Sequence, residues 1–532
     1  MISKPPRSRQ AGLLFRAPLL AWGLLVVTGV PWPARAQEAS SERGDAARFR
    51  QRVAAILSDE SAAKGHWGAL VTDAQTREVL FSLNPAQFFT PASNTKLFTT
   101  VLALATLGPD YRIRTTIEAS GSVDAAGRLR GDLLLVGRGD DLTNRVFPYT
   151  KQGLRDGPLE KALAELADQV VRRGLKQVDG DVVADDSYLA PARFPSGWTV
   201  DDTVWSYGAA VSAIVVNDNA LTLEVRPGEA SGAPLRFSVQ PLGSLYDVRN
   251  EAVTTAAGTE AQLRLARDPE SRTFILSGTL PADAPRRLLS VAVQEPAENA
   301  AALLAHLLEA RGVHILGRSR AHHAGDAEAL VPPAGRTVLA EHISPTLLED
   351  VRLTNKISDN LHAELLLRIA AKEKGGADNL DDALKFADQF RQGIGLASED
   401  VLLKDGSGLS RDDLATPQSF VHLLAYVAGQ PWGAGFLGTL PVAGEDGTLE
   451  GRMKGTAAAG RIQGKTGQVD HVEALSGFAT TLRGERLIFS IMGDNHSASG
   501  HDAAAIVDGI CVAMVEELGA APPSPGKTPE QQ

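Results

Sequence analysis

A single cysteine, Cys511, stands among the 532 residues, inside the apolar stretch AAAIVDGICVAMVEEL. One thiol excludes an internal disulfide, and with no Cys or His cluster beside it no metal site or thiol chemistry is built there; it reads as a buried helix residue. Positive charge is in deficit as well, 53 Lys and Arg against 64 Asp and Glu for a net charge of −11, which argues against nucleic acid or an anionic membrane surface as partner. The long apolar run near the start, Ala17 to Val30, has only 14 residues and is too short to span a bilayer comfortably. No repeat of solenoid period occurs. Charged residues at 22%, with 51 Gly and 29 Pro, exclude collagen-like, coiled-coil and largely disordered chains. Aromatics are sparse at 5%, yet 43% hydrophobic residues suffice for a sizeable core, and the length exceeds one ordinary domain.

What is present begins with a leader. Lys4, Arg7, Arg9 and Arg16 flank the apolar run, and Ala34-Arg35-Ala36 offers small residues for cleavage, so Met1 to Ala36 reads as an export signal. An uncleaved anchor or a buried helix is the alternative. Arg7 and Arg9 are not adjacent, which favours the general secretory route over the twin-arginine one. Cleavage would remove five positive charges and no negative ones, taking the net charge to −16 and leaving no integral membrane anchor.

Beyond the leader, Asp45 to Leu57 has helical spacing, and alternating runs at Trp67 to Thr72 and Glu78 to Leu83 flank the turn-like Asp73-Ala74-Gln75-Thr76. A helix is expected from Pro91-Ala92-Ser93 through Leu107. From Tyr111 to Leu339 the texture becomes mostly sheet, with short runs such as RIRTTIEAS, GDLLLVG, VDGDVVADDS, NALTLEVRP and LRFSVQPL between turns. Helical patches at Leu159 to Arg173 and Ala297 to Arg311 interrupt it, and a possible strand follows at His314 to Arg318. Helical patterns return at Pro345 to Thr354, Asn360 to Ala371, Leu380 to Ile394 and Thr416 to Val427. Strands are expected at Ala459 to Thr466, Ala474 to Thr480 and Leu487 to Asp494, then a helix at Asp502 to Leu518 and a Pro-containing tail at 520–532. The first and last thirds thus form one α/β domain, 43–110 with 340–519, and the β-rich middle is an insertion.

Three short motifs occur in order: Ser93-Asn94-Thr95-Lys96, Ser358-Asp359-Asn360 and Lys465-Thr466-Gly467. Each alone is weak, since Ser61 to Lys64 and Ser524 to Lys527 also fit the first and Ser82-Leu83-Asn84 the second. Alone, Ser93 and Ser358 read as helix caps, Lys96 as a solvated side chain and Lys465 as protection of a sheet edge. Together they match a serine acyl-enzyme set. At a helix start, positions i and i+3 share a face, so the Lys96 amine can reach the Ser93 hydroxyl and take its proton. The helix terminus and partial burial favour the neutral, proton-accepting lysine and supply backbone N–H groups for an oxyanion hole. Ser358 then relays a proton to the leaving amine, Asn360 bonds a substrate amide, and Asp359 supports the loop. Lys465 and Thr466 hold a carboxylate, and Gly467 lets an acyl group lie close to the strand.

The constellation resembles penicillin-binding proteins, specifically the class C low-molecular-mass D-alanyl-D-alanine carboxypeptidase/endopeptidase family. The resemblance covers nearly all the mature chain, through PASNTKLFTT, YGAAVSAIVVNDNALTL, TNKISDNLHAELLL, KDGSGLSRDD and LPVAGEDGTL. A long insertion between the first two motifs marks the family, and here Ser93 and Ser358 are 265 residues apart. The resemblance implies an α/β (α+β) fold, an antiparallel sheet flanked by helices, with a β-rich domain inserted at 111–186 and 290–339 and a smaller one nested at 187–289. It implies Ser93 as acylated nucleophile, Lys96 as base, Ser358 and Asn360 as the second wall, and an oxyanion hole from the backbone of Ser93 and Gln468. Gln468 departs from the Thr or Ser usual in the family. Asp185, in VVADDSYL, resembles an Asp placed near the substrate's side-chain amine, although a solvated turn explains Asp185-Asp186 equally well.

By the same resemblance the chain is a periplasmic serine D,D-carboxypeptidase with D,D-endopeptidase activity. It acts on peptidoglycan peptides, needs no metal or cofactor, and takes β-lactams as covalent inhibitors. A serine β-lactamase or esterase on the same core is the rival enzyme, against which stands the lack of a Glu-x-x-Leu-Asn run. A non-catalytic peptidoglycan-binding protein is the rival from another class, against which stand the intact Ser93, Lys96, Ser358 and Lys465. Oligomeric state is not legible.

Overall fold

Strands with apolar residues in both registers need cover on both faces, and the central sheet is built from such strands. The computed structural model describes residues 43–149, 154–268 and 271–519, and the expected leader and tail lie outside the described residues. In spatial order the sheet runs Val79–Leu83, His66–Asp73, Arg486–Asp494, Val472–Thr480 and Ile462–Val469, each pair antiparallel. Ala69, Val71, Leu475, Phe489 and Ile491 pack toward helices Gly44–Leu57 and Gly500–Glu517, which contribute Phe49, Val53, Val507 and Met514. Leu70, Ala474, Phe478, Ile488 and Met492 pack on the opposite side against helices Lys96–Leu107 and Pro417–Ala428. Cys511 is buried in the first of these layers, where desolvation pushes its thiol well above its ordinary value and leaves it inert.

Helix Lys96–Leu107 is apolar all round and is buried from Lys96 through Leu104. It runs through the core, so its first residue reaches Ser93 Oγ from inside the protein.

The expected helices are present with small shifts at their ends. Thr346 caps helix Leu347–Ile357 by accepting from Glu349 N, which moves its start past Pro345. The strand expected at Ala459 begins at Ile462, after a turn in which Gly460 adopts a left-handed φ of 70°.

Between the halves of this core, Ser319–His322, Val182–Asp185, Leu133–Val136, Arg114–Ala119 and Thr337–Ile343 form a second five-stranded sheet. Its first two pairings are parallel, with helices Lys161–Arg172 and Pro296–Glu309 packed onto Leu133, Leu135 and Val182. The single strand expected at His314 to Arg318 is instead two pieces, His314–Ile315 and Ser319–His322, because the chain changes partner from Gln177–Val178 to Val182–Asp185. A further cluster around Leu223, Phe274 and Leu276 joins the sheet of Ala220–Arg226 to that of Thr273–Pro281.

Candidate active site

The turn that carries Ser93 is fixed from three sides. Ala92–Thr95 forms a 3-10 turn before helix Lys96–Leu107, with Ala92 at a left-handed φ of 44°. The buried Asn94 donates from Nδ2 to Ser476 Oγ at 2.9 Å, and that hydroxyl donates to Ser490 Oγ at 2.8 Å, which pins the turn to the sheet. A Cβ on Gly467 would lie 2.5 Å from Pro91 O and 3.0 Å from Asn94 N. One on Gly408, at φ 78°, would lie 1.8 Å from Ala92 O. Both glycines are therefore required by the close approach of the protein's own backbone to this turn. Ser93 itself is half-buried.

Lys96 is fully buried, with its amine 2.7 Å from Ser93 Oγ, 2.5 Å from Asn360 Oδ1 and 2.7 Å from Ser407 O. Burial lowers its pKa to about 8, against the opposing pull of Asp405, Asp359, Glu364 and Asp413. A substantial neutral fraction is thus present near physiological pH.

The Ser407 carbonyl was not assigned chemistry from sequence. Its turn is built by the Asp405 carboxylate, which accepts from the backbone of Ser407, Gly408 and Ser410, from Ser407 Oγ and from Trp198 Nε1. The Asp-Gly-Ser-Gly run of KDGSGLSRDD is the signal that could have found this turn. Behind it, Glu364 Oε1 accepts from Gly406 N at 2.6 Å, and burial raises that carboxyl to about 7.

Ser358 closes helix Leu347–Ile357 at a left-handed φ of 63°. The next helix, Asn360–Gly375, is capped by Asp359, whose side chain accepts from His362 N at 3.2 Å, so the Ser358 hydroxyl is released from capping. It lies 2.9 Å from Lys465 Nζ instead. Both ends of the Asn360 amide are engaged within the protein, Oδ1 with Lys96 and Nδ2 donating to Tyr207 O at 2.7 Å. A backbone carbonyl from the inserted region therefore orients this side chain.

Lys465 is completely buried on the edge strand Ile462–Val469, where its amine also donates to Thr466 O at 2.7 Å. Desolvation, and then the charge of Lys96, hold it well below its ordinary value. Thr466 Oγ1 donates to Thr448 Oγ1 at 2.8 Å. Gln468 is exposed, and its Nε2 donates to Gly500 O at 3.2 Å.

Contacts thus join Ser93, Lys96 and Asn360 on one side and Ser358 and Lys465 on the other. Asp185 is not among them: it is buried at the end of strand Val182–Asp185, bonded to Ser187 Oγ at 2.6 Å and 3.6 Å from Arg336.

A serine with a buried amine at its hydroxyl, and a second buried amine near enough to feel the charge of the first, is the equipment of a serine hydrolase. The chain belongs to the D-Ala-D-Ala carboxypeptidase 3 (S13) family, whose profile matches residues 49–514. It is 34% identical over 523 residues to the D-alanyl-D-alanine carboxypeptidase of an Actinomadura species, covering 96% of this chain and 91% of that one. The crystal structure of penicillin binding protein 4 (dacB) from Haemophilus influenzae has the same fold, with a TM-score of 0.74 at 24% identity over 87% of this chain and 98% of that one. A complex of that protein with a novel β-lactam superposes with a TM-score of 0.68 at 23% identity, over 88% and 98%. Among the described residues no helix is long and apolar enough to cross a membrane.

Proposed function

We propose that this enzyme is a periplasmic serine D-alanyl-D-alanine carboxypeptidase that also cleaves D,D-crosslinks of peptidoglycan, through an acyl-Ser93 intermediate that β-lactams imitate. The observation that carries the reading is the 2.7 Å contact between Ser93 Oγ and the buried Lys96 amine. Ser93 Oγ attacks the carbonyl carbon of the penultimate D-alanine while Lys96 takes the hydroxyl proton, and the oxyanion meets the backbone N–H groups of Ser93 and Gln468. Ser358 relays the proton held by Lys96 to the departing amine, the C–N bond breaks, and D-alanine or the crosslinked peptide leaves. Water then attacks the ester, returning the proton and freeing Ser93. Lys465, whose charge burial disfavours, meets the substrate carboxylate and grips it with Thr466. Residues 43–110 and 340–519 form the catalytic domain in this reading, 111–186 with 290–339 the inserted domain, and 187–289 the nested one. Asp185, held by Ser187 and Arg336, gets no role in it.

Labelled penicillin followed by peptide mapping tests the proposal. The label is expected on Ser93 at one equivalent per chain and absent from Ser93→Ala. Labelling elsewhere would reject the nucleophile, and nitrocefin turnover far above one equivalent would make the chain a β-lactamase. Muropeptide digests analysed by mass read free D-alanine and split dimers separately, and intact dimers would remove the endopeptidase part.

A further inference from the structure

Behind the second wall of the cleft stands a residue that none of the three motifs contains. His362, two positions past Asn360, is buried, and both ring nitrogens face carboxylates. Nδ1 lies 2.6 Å from Asp350 Oδ1, while Nε2 lies 3.0 Å from Asp141 Oδ2 and 3.5 Å from Asp218 Oδ1. Its backbone N–H holds Asp359. Asp350 sits on the helix that ends at Ser358. Asp141 follows strand Leu133–Val136 and Asp218 precedes strand Ala220–Arg226, so both come from the inserted part of the chain. Arg145 and Arg155 approach Asp218 Oδ2 at 2.6 and 3.5 Å.

A neutral imidazole carries one N–H and leaves one of these two directions unmet, with a lone pair aimed at a carboxylate. The imidazolium donates from Nδ1 to Asp350 and sets its charge and second N–H at ion-pair distance from Asp141 and Asp218. Charge balance points the same way: even with Asp350 left out, whose carboxyl burial raises, Asp141, Asp218 and Asp359 outnumber the two guanidiniums. The surrounding carboxylates outweigh burial and hold the ring well above its ordinary pKa, so the cation persists at neutral pH and is lost only as pH rises through that raised value.

We propose that His362 is a positioning residue: as a buried imidazolium it ties the helix ending at Ser358, the helix beginning at Asn360 and the inserted region into one rigid corner. That corner sets the reach of Asn360 Oδ1 to Lys96 and of Ser358 Oγ to Lys465, and the inference rests on the roles given to those residues above. It assigns the insertion a task in catalysis, since two of the carboxylates that hold the ring belong to it.

The test compares the full chain with His362→Gln and Asp141→Asn, reading penicillin label on Ser93, kcat and KM on a D-Ala-D-Ala peptide, and histidine side-chain nitrogen NMR. The expected result is full labelling of Ser93 in all three proteins. In H362Q kcat falls by about tenfold with KM nearly unchanged, and D141N shows a smaller fall of the same kind. In the wild type, the ring whose signals move in D141N has both nitrogens protonated at neutral pH. Should H362Q fail to fold, D141N and the wild-type spectrum still decide. Wild-type kcat in D141N, a neutral ring, or a stoichiometric divalent metal whose removal by chelator lowers kcat would each overturn the proposal. Normal labelling with unchanged kinetics sinks this inference alone, whereas an unlabelled Ser93 in the wild type sinks the catalytic reading with it.

Discussion

Acylation of Ser93 should follow the titration of Lys96. With a pKa of about 8, roughly a tenth of the enzyme carries the neutral amine at about pH 7 and roughly nine tenths at about pH 9. The second-order rate of acylation by a fluorescent penicillin, corrected for hydrolysis of the reagent, should therefore rise about tenfold over that interval and then level. An unperturbed lysine at 10.5 would give a rise of about a hundredfold over the same interval and no plateau below about pH 10. The cause of the difference is desolvation, since Lys96 is fully buried while Asp405, Asp359, Glu364 and Asp413 pull the other way. Lys96→Arg supplies the control: its guanidinium keeps its proton throughout this range, and acylation should fall by about a hundredfold or more. A logarithmic rate that climbs with unit slope past about pH 9.5, or that stays flat from about pH 6, would refute the assignment of Lys96 as base.

Asp405→Asn removes the carboxylate that most favours the Lys96 cation, so the bend in that profile should move to lower pH, and a bend that stays put would separate the turn from the lysine. The same change turns an acceptor of several N–H groups into a partial donor and should lower stability by about 1–3 kcal/mol, read by denaturant titration. Gly467→Ala drives a Cβ against Pro91 O and Asn94 N; overpacking of about 1–3 kcal/mol and a slowed acylation are expected, and a wild-type rate would show that the turn yields without consequence.

The parts of the molecule readable from sequence are those with local cause. The alternation in Trp67 to Thr72 and Leu487 to Asp494 is carried by side chains that face two separate cores, and the three motifs identify themselves by residue type and order. The pairing of Leu133–Val136 with Val182–Asp185 joins distant segments in parallel, and no turn announces it. The acceptors on Lys96 and Asn360 that sequence missed, Ser407 O and Tyr207 O, are backbone carbonyls, which every residue possesses and no composition betrays. Asp185 differs: the segment around it suggests a substrate contact, and its buried carboxylate bonds Ser187 and lies 3.6 Å from Arg336. His362 lies in a segment whose neighbours carried the motif, but the carboxylates that give it meaning arrive from three other places in the chain.

The order in which these parts leave the ribosome has a biological corollary. Ser93 emerges early, while Tyr207, Ser358, Ser407 and Lys465 follow over the next several hundred residues. Because Lys96 takes its acceptors from Asn360 and Ser407, and Asn360 takes its own from Tyr207, an incomplete polypeptide holds a harmless hydroxyl. The set of contacts closes only when the strand that carries Lys465 is in place, so the order of synthesis itself acts as a safety catch.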